Sequence, residues 1–270
     1  MTAPKLGDFT HLAEDYARSR AGYSEEVADA LREYVHPGTP TFAEASSGGE
    51  MRGRIDAVDV GAGTGIWTRM LAARRCRCTA VEPNDAMRAQ GQAVVHPQIR
   101  WQAGKGEDTG VASGSADWVT MASSFHWTDA TRSLPEFARI LRPNGCFTAL
   151  WNPRDLDGHD FHQEIEAIIR AIVPDLKRVS SGSKSSMSGV EAKLVSTGHF
   201  TDVLFMEGRH SVSMTPERYL GAWRSVNDIQ AQAGPDRFAR IMKAIEQRVS
   251  TVSEVVVPYL TRSWTVRRKD

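Results

Sequence analysis

The sequence predicts an α/β protein built on a doubly wound, mostly parallel β-sheet. Three observations carry that prediction. Short apolar runs alternate with helical patterns over residues 55–151, and strands separated by helices form parallel sheets covered on both faces. A turn holding Gly61, Gly63 and Gly65 joins the first of these runs to the first of these helices. The chain has 270 residues, 41% of them hydrophobic and 24% charged, which is long and apolar enough to bury a globular core.

Each element follows in order. Residues 10–20 and 24–36 read as helices. Ser24 is placed to cap the second, with Glu25 and Glu26 at the positive end of its dipole. The stretch 37–53 carries Pro, Ser and Gly without periodicity, as a linker or surface loop does. The rhythm then begins: strand 55–60, helix 65–75, strand 77–82, helix 84–94, strand 98–102, strand 116–122, helix 129–141 and strand 146–151. Asn84 or Asp85 can cap the helix over 84–94. Right-handed crossovers make this a doubly wound sheet. Beyond residue 151 the rhythm loosens into a helix over 161–173, a small-residue loop over 180–189, a strand over 200–210, helices over 216–226 and 236–249, and a β-rich stretch over 254–266.

Composition narrows the function. Lys+Arg and Asp+Glu both number 33, so no bulk charge draws the chain to nucleic acid. Arg267, Arg268 and Lys269 read as a short solvated tail. No apolar stretch approaches the length of a membrane span. Three cysteines without a CxxC spacing suit a reducing, cytoplasmic setting. The crowd of Asp155, Asp157, His159, Asp160 and His162 matches no zinc spacing and reads as a solvated helix start, so no metal is expected.

The glycine turn, VDVGAGTGIWTRML (58–71), bears on ligand class. Glycines at the carboxyl end of a parallel strand let the backbone approach a ligand with no Cβ in the way. A dinucleotide fingerprint requires a small residue at its sixth position. Counted from Gly61, that position is Ile66, so the fingerprint fails. Glu82 ends the next strand 21 residues after Gly61, a spacing at which an acid accepts both hydroxyls of an adenosine ribose. Met87 either lies on the adenine or belongs to the core.

Taken together, these segments resemble class I S-adenosylmethionine (SAM)-dependent methyltransferases of the small-molecule kind, a group that includes trans-aconitate methyltransferases. The resemblance runs over residues 9–151 and weakens beyond. VDVGAGTG is similar to motif I and implies cofactor contacts from Asp59, Gly61, Ala62, Gly63, Thr64 and Gly65. AVEPNDAM is similar to motif II and implies Glu82, Pro83 and Met87. In GKGEDTG (104–110), Gly106 and Glu107 are implied at the adenine edge. The segment 123–151 resembles the family's post-strand region, with Ser123 at its start and a Leu-Arg-Pro-Asn-Gly turn before the fifth strand. YARSRAGY (16–23) resembles the leading lid, which implies Tyr16 and Arg20 near the methionine end of SAM. Ala21 and Ser24 stand where the family more often has proline.

The resemblance implies a Rossmann-like, seven-stranded mixed sheet with the last strand, near 255–266, antiparallel. It implies a lid and linker over 1–53, a SAM-binding core over 54–151, and cap insertions with closing strands over 152–270, forming one globular unit. The cofactor is then SAM and the product S-adenosyl-L-homocysteine (SAH). The acceptor is expected to be a small molecule rather than nucleic acid or membrane, and the protein a monomer or homodimer. His126, just past the fourth core strand, is the candidate base. Phe125, Trp127 and Trp151 either line the acceptor pocket or belong to the core. Two other classes compete: an NAD(P)-dependent oxidoreductase and a non-catalytic SAM-binding protein.

Overall fold

The computed structural model describes residues 5–37, 54–178 and 187–270. Residues 38–53 of the expected linker and 180–186 of the expected loop lie outside them. The core elements are β1 (Ile55–Val60), α3 (Ile66–Ala73), β2 (Cys76–Val81), α4 (Asp85–Gln92), β3 (Ile99–Gln102), β4 (Ala116–Ala122), α5 (Ala130–Ile140) and β5 (Leu141–Trp151). Ahead of them stand α1 (Ala13–Ser19) and α2 (Glu25–Val35). After them come α6 (Asp160–Ile172), α7 (Val190–Val195), β6 (Phe200–Met214), α8 (Pro216–Arg224), α9 (Asn227–Val249) and β7 (Val255–Arg268).

The strands form one seven-stranded sheet in the order β3-β2-β1-β4-β5-β7-β6. The last strand, β7, runs antiparallel to both β5 and β6, and the others are parallel. Alternation explains the layers. On β1, β4 and β5, Ile55, Ala57, Trp118, Cys146 and Leu150 face α2 and α3, while Val58, Val60, Val119, Met121, Phe147 and Ala149 face α5 and α7. Both faces are apolar because both are covered. A third cluster joins α6, α8 and α9 to Met214, Val255, Val257 and Tyr259. Those residues lie at the end of β6 and the start of β7, so this cap stands over the carboxyl edge of the parallel strands.

Local chemistry sets the boundaries. Ser24 caps α2 through the Val27 N–H at 3.2 Å, and Asn84 caps α4 through the Met87 N–H at 3.1 Å. The leading helix expected over 10–20 is a 3-10 turn (Thr10–Leu12) followed by α1. The turn expected ahead of the fifth strand is instead a bulge within β5: the pairing with β4 jumps between Leu141 and Cys146, and Asn144 takes φ 63°. The strand expected over 200–210 continues to Met214, because β7 pairs with it along its length. The helix expected over 236–249 begins earlier, at Asn227, and breaks at Gly234 (φ 72°, ψ 169°) before Pro235. Helix α7 was not expected from the sequence. Among the described residues no helix is long and apolar enough to cross a membrane.

Candidate functional site

A cavity of about 650 Å³ opens at the carboxyl edge of the sheet, the side on which open α/β sheets bind ligands. Every parallel core strand feeds it. Residues 61–64 follow β1, residues 82–84 follow β2, residues 105–107 follow β3, residues 122–124 end β4, and residues 152–154 follow β5. The N-terminal segment adds Phe9, Tyr16, Arg20 and Tyr23, and the cap adds Glu166, Arg170, Arg178 and Tyr259.

The glycine turn is shaped by contact. Gly61 has φ 66°, and a Cβ there would stand 2.7 Å from the Ser124 Cβ. Gly65 has φ 80° and would place a Cβ 2.8 Å from the Trp101 ring. Neither position admits a side chain. The Gly61 and Ala62 N–H groups donate to the Val81 carbonyl at 2.8 and 3.1 Å, which fastens the turn to β2. The Thr64 Oγ1 is buried without a protein hydrogen-bond partner.

Glu82 is buried, and its carboxylate is fixed from behind. One oxygen accepts the Gly63 N–H at 2.7 Å and the other the Asn84 N–H at 2.9 Å. Each oxygen keeps lone-pair capacity for a further donor, which is what a vicinal diol supplies. Burial raises its pKa, against the two backbone donors that favour the charge. Asp59 sits behind the turn. It accepts the Thr68 hydroxyl at 2.5 Å and the Thr120 hydroxyl at 3.0 Å, and burial outweighs both bonds to push its pKa up to about 7.

The opposite wall carries aromatic and cationic groups. Tyr23 packs edge-on to Trp67 at 5.3 Å, and its hydroxyl lies 3.0 Å from the Ser123 hydroxyl. Ser123 itself is held at φ 54°. The Arg20 guanidinium stacks 4.9 Å from the centre of the Tyr16 ring and donates to the Ser225 hydroxyl and carbonyl at 2.7 and 3.0 Å.

Residues 58–149 match the family model described as a methyltransferase domain. The chain is 39% identical over 140 residues to an uncharacterized methyltransferase of Mycobacterium bovis, which covers 52% of this chain and 50% of that protein. It is 40% identical over 96 residues to a ubiquinone/menaquinone biosynthesis C-methyltransferase of Rubrivivax gelatinosus, covering 34% of this chain and 38% of that one. A putative type II methyltransferase from Anaeromyxobacter dehalogenans shares the fold, with a TM-score of 0.56 at 22% identity over 93% of this chain and 97% of that one. Over residues 58–149 the chain is thus similar to a methyltransferase domain. It spans about half the length of the curated relatives it matches first.

The cavity gathers most residues singled out from the sequence. Tyr16, Arg20, Gly61, Ala62, Gly63, Thr64, Glu82, Pro83, Met87, Gly106, Glu107 and Ser123 all line it, as does Trp127 at its mouth. Glu107 is steadied by the Asp129 N–H at 2.8 Å. Five others do not line it. Asp59 and Gly65 shape the turn from behind. Phe125 is buried against Phe147 at 5.4 Å, and Trp151 against Trp264 at 5.7 Å, so both belong to the core. His126, the candidate base, is also set back from the cavity. Its Nδ1 accepts the Trp151 indole N–H at 3.2 Å, and its buried Nε2 has no protein hydrogen-bond partner. Burial pushes its pKa down to about 4, which leaves a neutral, weakly basic ring. Its position serves wall packing better than proton transfer.

Sequence reasoning missed Tyr23, Trp67, Asn152, Arg154, Arg170 and Arg178. Tyr23 lay inside the quoted lid segment. Asn152 and Arg154 directly follow a core strand, and the carboxyl-edge rule alone would have found them. Arg170 and Arg178 carry no local signal, because the cap places them. The crowded acids near α6 are dispersed: Asp155 pairs with Arg209 at 2.9 Å, while His162 is buried and lies 2.9 Å from the Val256 carbonyl.

Proposed function

We propose that the protein is a SAM-dependent methyltransferase that acts on a small-molecule acceptor. The observation that carries this reading is the Glu82 carboxylate, fixed by the Gly63 and Asn84 N–H groups at the rim of the same cavity as the glycine turn. The residues suit the adenosyl group. Glu82 takes the ribose hydroxyls, the glycine turn admits the ligand where a Cβ would block it, and Met87, Gly106 and Glu107 border the adenine. Arg20, with Tyr16 beneath it, takes the methionine carboxylate. SAM supplies an electrophilic methyl on a sulfonium. The protein's part is to hold an acceptor in line with it and exclude water, an alignment worth up to roughly 7–11 kcal/mol. The N-terminal segment and the cap do the excluding, and a cavity roofed by both favours a small acceptor over a macromolecule. With His126 set back, an acceptor that needs no proton removed suits the site best.

Calorimetric titration with SAM, SAH and NAD(P) tests the reading. Saturable binding of SAM and SAH without NAD(P) is the expected result. Binding of NAD(P) alone would overturn it. SAM binding without turnover on any acceptor would leave the silent binder as the better description.

A further inference from the structure

This inference rests on the methyltransferase reading and names the chemical class of the acceptor. Four arginines line the cavity: Arg20 after α1, Arg154 after β5, Arg170 on α6 and Arg178 beyond it. They are not equally satisfied. Arg178 is answered by Glu166 at 3.0 Å and Asp228 at 3.3 Å. The Arg20 guanidinium donates to the neutral hydroxyl and carbonyl of Ser225 and is reserved, on the reading above, for the methionine carboxylate. Arg154 is different. Its guanidinium lies flat on the Trp223 ring at 3.9 Å, its Nε is buried without a hydrogen-bond partner, and no described carboxylate comes within salt-bridge distance. Its backbone is fixed, because it bridges Tyr259 of β7 and the Leu260 N–H donates to Pro153 at 2.9 Å. Arg170 is exposed and forms no ion pair with described residues.

Burial lowers the pKa of Arg20 and the Arg154 charge adds to that lowering, while the Asp228 carboxylate opposes it. An oriented guanidinium with free donors on a cavity wall is a fork for a planar or tetrahedral oxyanion. The aromatic face beneath it holds the fork in place before the ligand arrives. We infer that the acceptor carries an oxyanion, a carboxylate or a phosphate, and that Arg154 on its Trp223 platform holds that group, with Arg170 adding attraction. The anchoring residues lie beyond residue 149, outside the matched domain segment, so this specificity belongs to the chain's own cap region.

The test titrates SAH-saturated protein with inorganic phosphate and with straight-chain dicarboxylates from malonate to adipate, using their diamides as neutral controls. At least one oxyanion is expected to bind saturably and the diamides not at all. Which oxyanion binds separates a phosphate from a carboxylate acceptor. Arg154→Gln should weaken that binding about tenfold or more while SAH affinity, the check on folding, stays unchanged. Arg154→Lys should retain part of it. Oxyanion binding that is absent from the SAH-loaded wild type, or equal in Arg154→Gln, overturns the inference. Loss of SAH affinity in Arg154→Gln overturns it too, by assigning Arg154 to the cofactor or the fold. A wild type that fails to bind SAH sinks the methyltransferase reading as well, whereas SAH binding without oxyanion binding sinks this inference alone.

Discussion

Glu82 and Asp59 are neighbouring buried acids whose burial raises both pKa values, yet they serve opposite ends of the turn. Glu82 faces the cavity with both oxygens steadied by backbone donors. Glu82→Gln keeps the shape and removes the charge-assisted acceptor, so SAH affinity should fall roughly 10- to 100-fold by calorimetry. An unchanged affinity would remove Glu82 from the ligand site. Asp59 is a stability group. Its folded pKa, about 7, stands above the unfolded value near 3.8. The stability it contributes is therefore complete below about pH 4, is lost as pH rises towards 7, and is level above that. The advantage of Asp59→Asn over the wild type in urea unfolding should grow across that window, by on the order of 1–3 kcal/mol. A difference independent of pH would show that Asp59 titrates normally. Residue-scale signals were legible where chemistry sits at a fixed spacing in the chain, as Glu82 does after Gly61. They were not legible for His126, which its place just past the fourth core strand made the candidate base. Its real environment, the Trp151 indole, comes from β5.

Elements meet most tightly where the N-terminal segment lies on the cap. The Asn227 side chain clasps the turn before α1, accepting the Gly7 N–H at 2.7 Å and donating to the Lys5 and Asp8 carbonyls at 3.1 and 2.8 Å. Arg224 of α8 reaches Asp15 of α1 at 3.2 Å. A Cβ on Gly221 would stand 2.1 Å from the Ser19 hydroxyl, so α1 and α8 touch backbone to side chain. This clasp holds residues 5–20 against the cap. Asn227→Ala should raise amide hydrogen exchange over that segment and speed SAH release several-fold, with little change in the central strands, because breaking buried bonds costs about 1–3 kcal/mol locally. Exchange that rises equally throughout the sheet would show a general loss of stability instead. Element existence was legible through periodicity for the core strands and for α2, α5 and α6. Boundaries failed where a neighbour decides them. The far half of β6 reads as solvent-exposed polar sequence until β7 pairs with it, and the first part of α9 is polar up to the break at Gly234.

At the scale of the whole molecule, β7 is decisive. The last strand enters the sheet between β5 and β6 and links the core to the cap, since its early residues pack on α6, α8 and α9 while its later ones pair with β5. We therefore expect lid, core and cap to unfold together. Thermal unfolding followed by tryptophan fluorescence and by circular dichroism should give one coincident transition, and SAH at about a hundred times its Kd should raise the midpoint by roughly 5–10 °C. Two separate transitions would show that the cap folds independently of the core. The sequence by itself determined the parallel core and brought the glycine turn and Glu82 together, because alternating burial, glycine turns and a carboxylate at fixed spacing are local properties written along consecutive residues; the reversed closing strand came from the family resemblance. Only the tertiary structure decided the wall opposite the glycine turn. Tyr23, Arg154 and Trp223 come from parts of the chain as much as about two hundred residues apart, and their charges and faces acquire meaning only when packing sets Tyr23 and Arg154 on one cavity wall, Arg154 lying on Trp223.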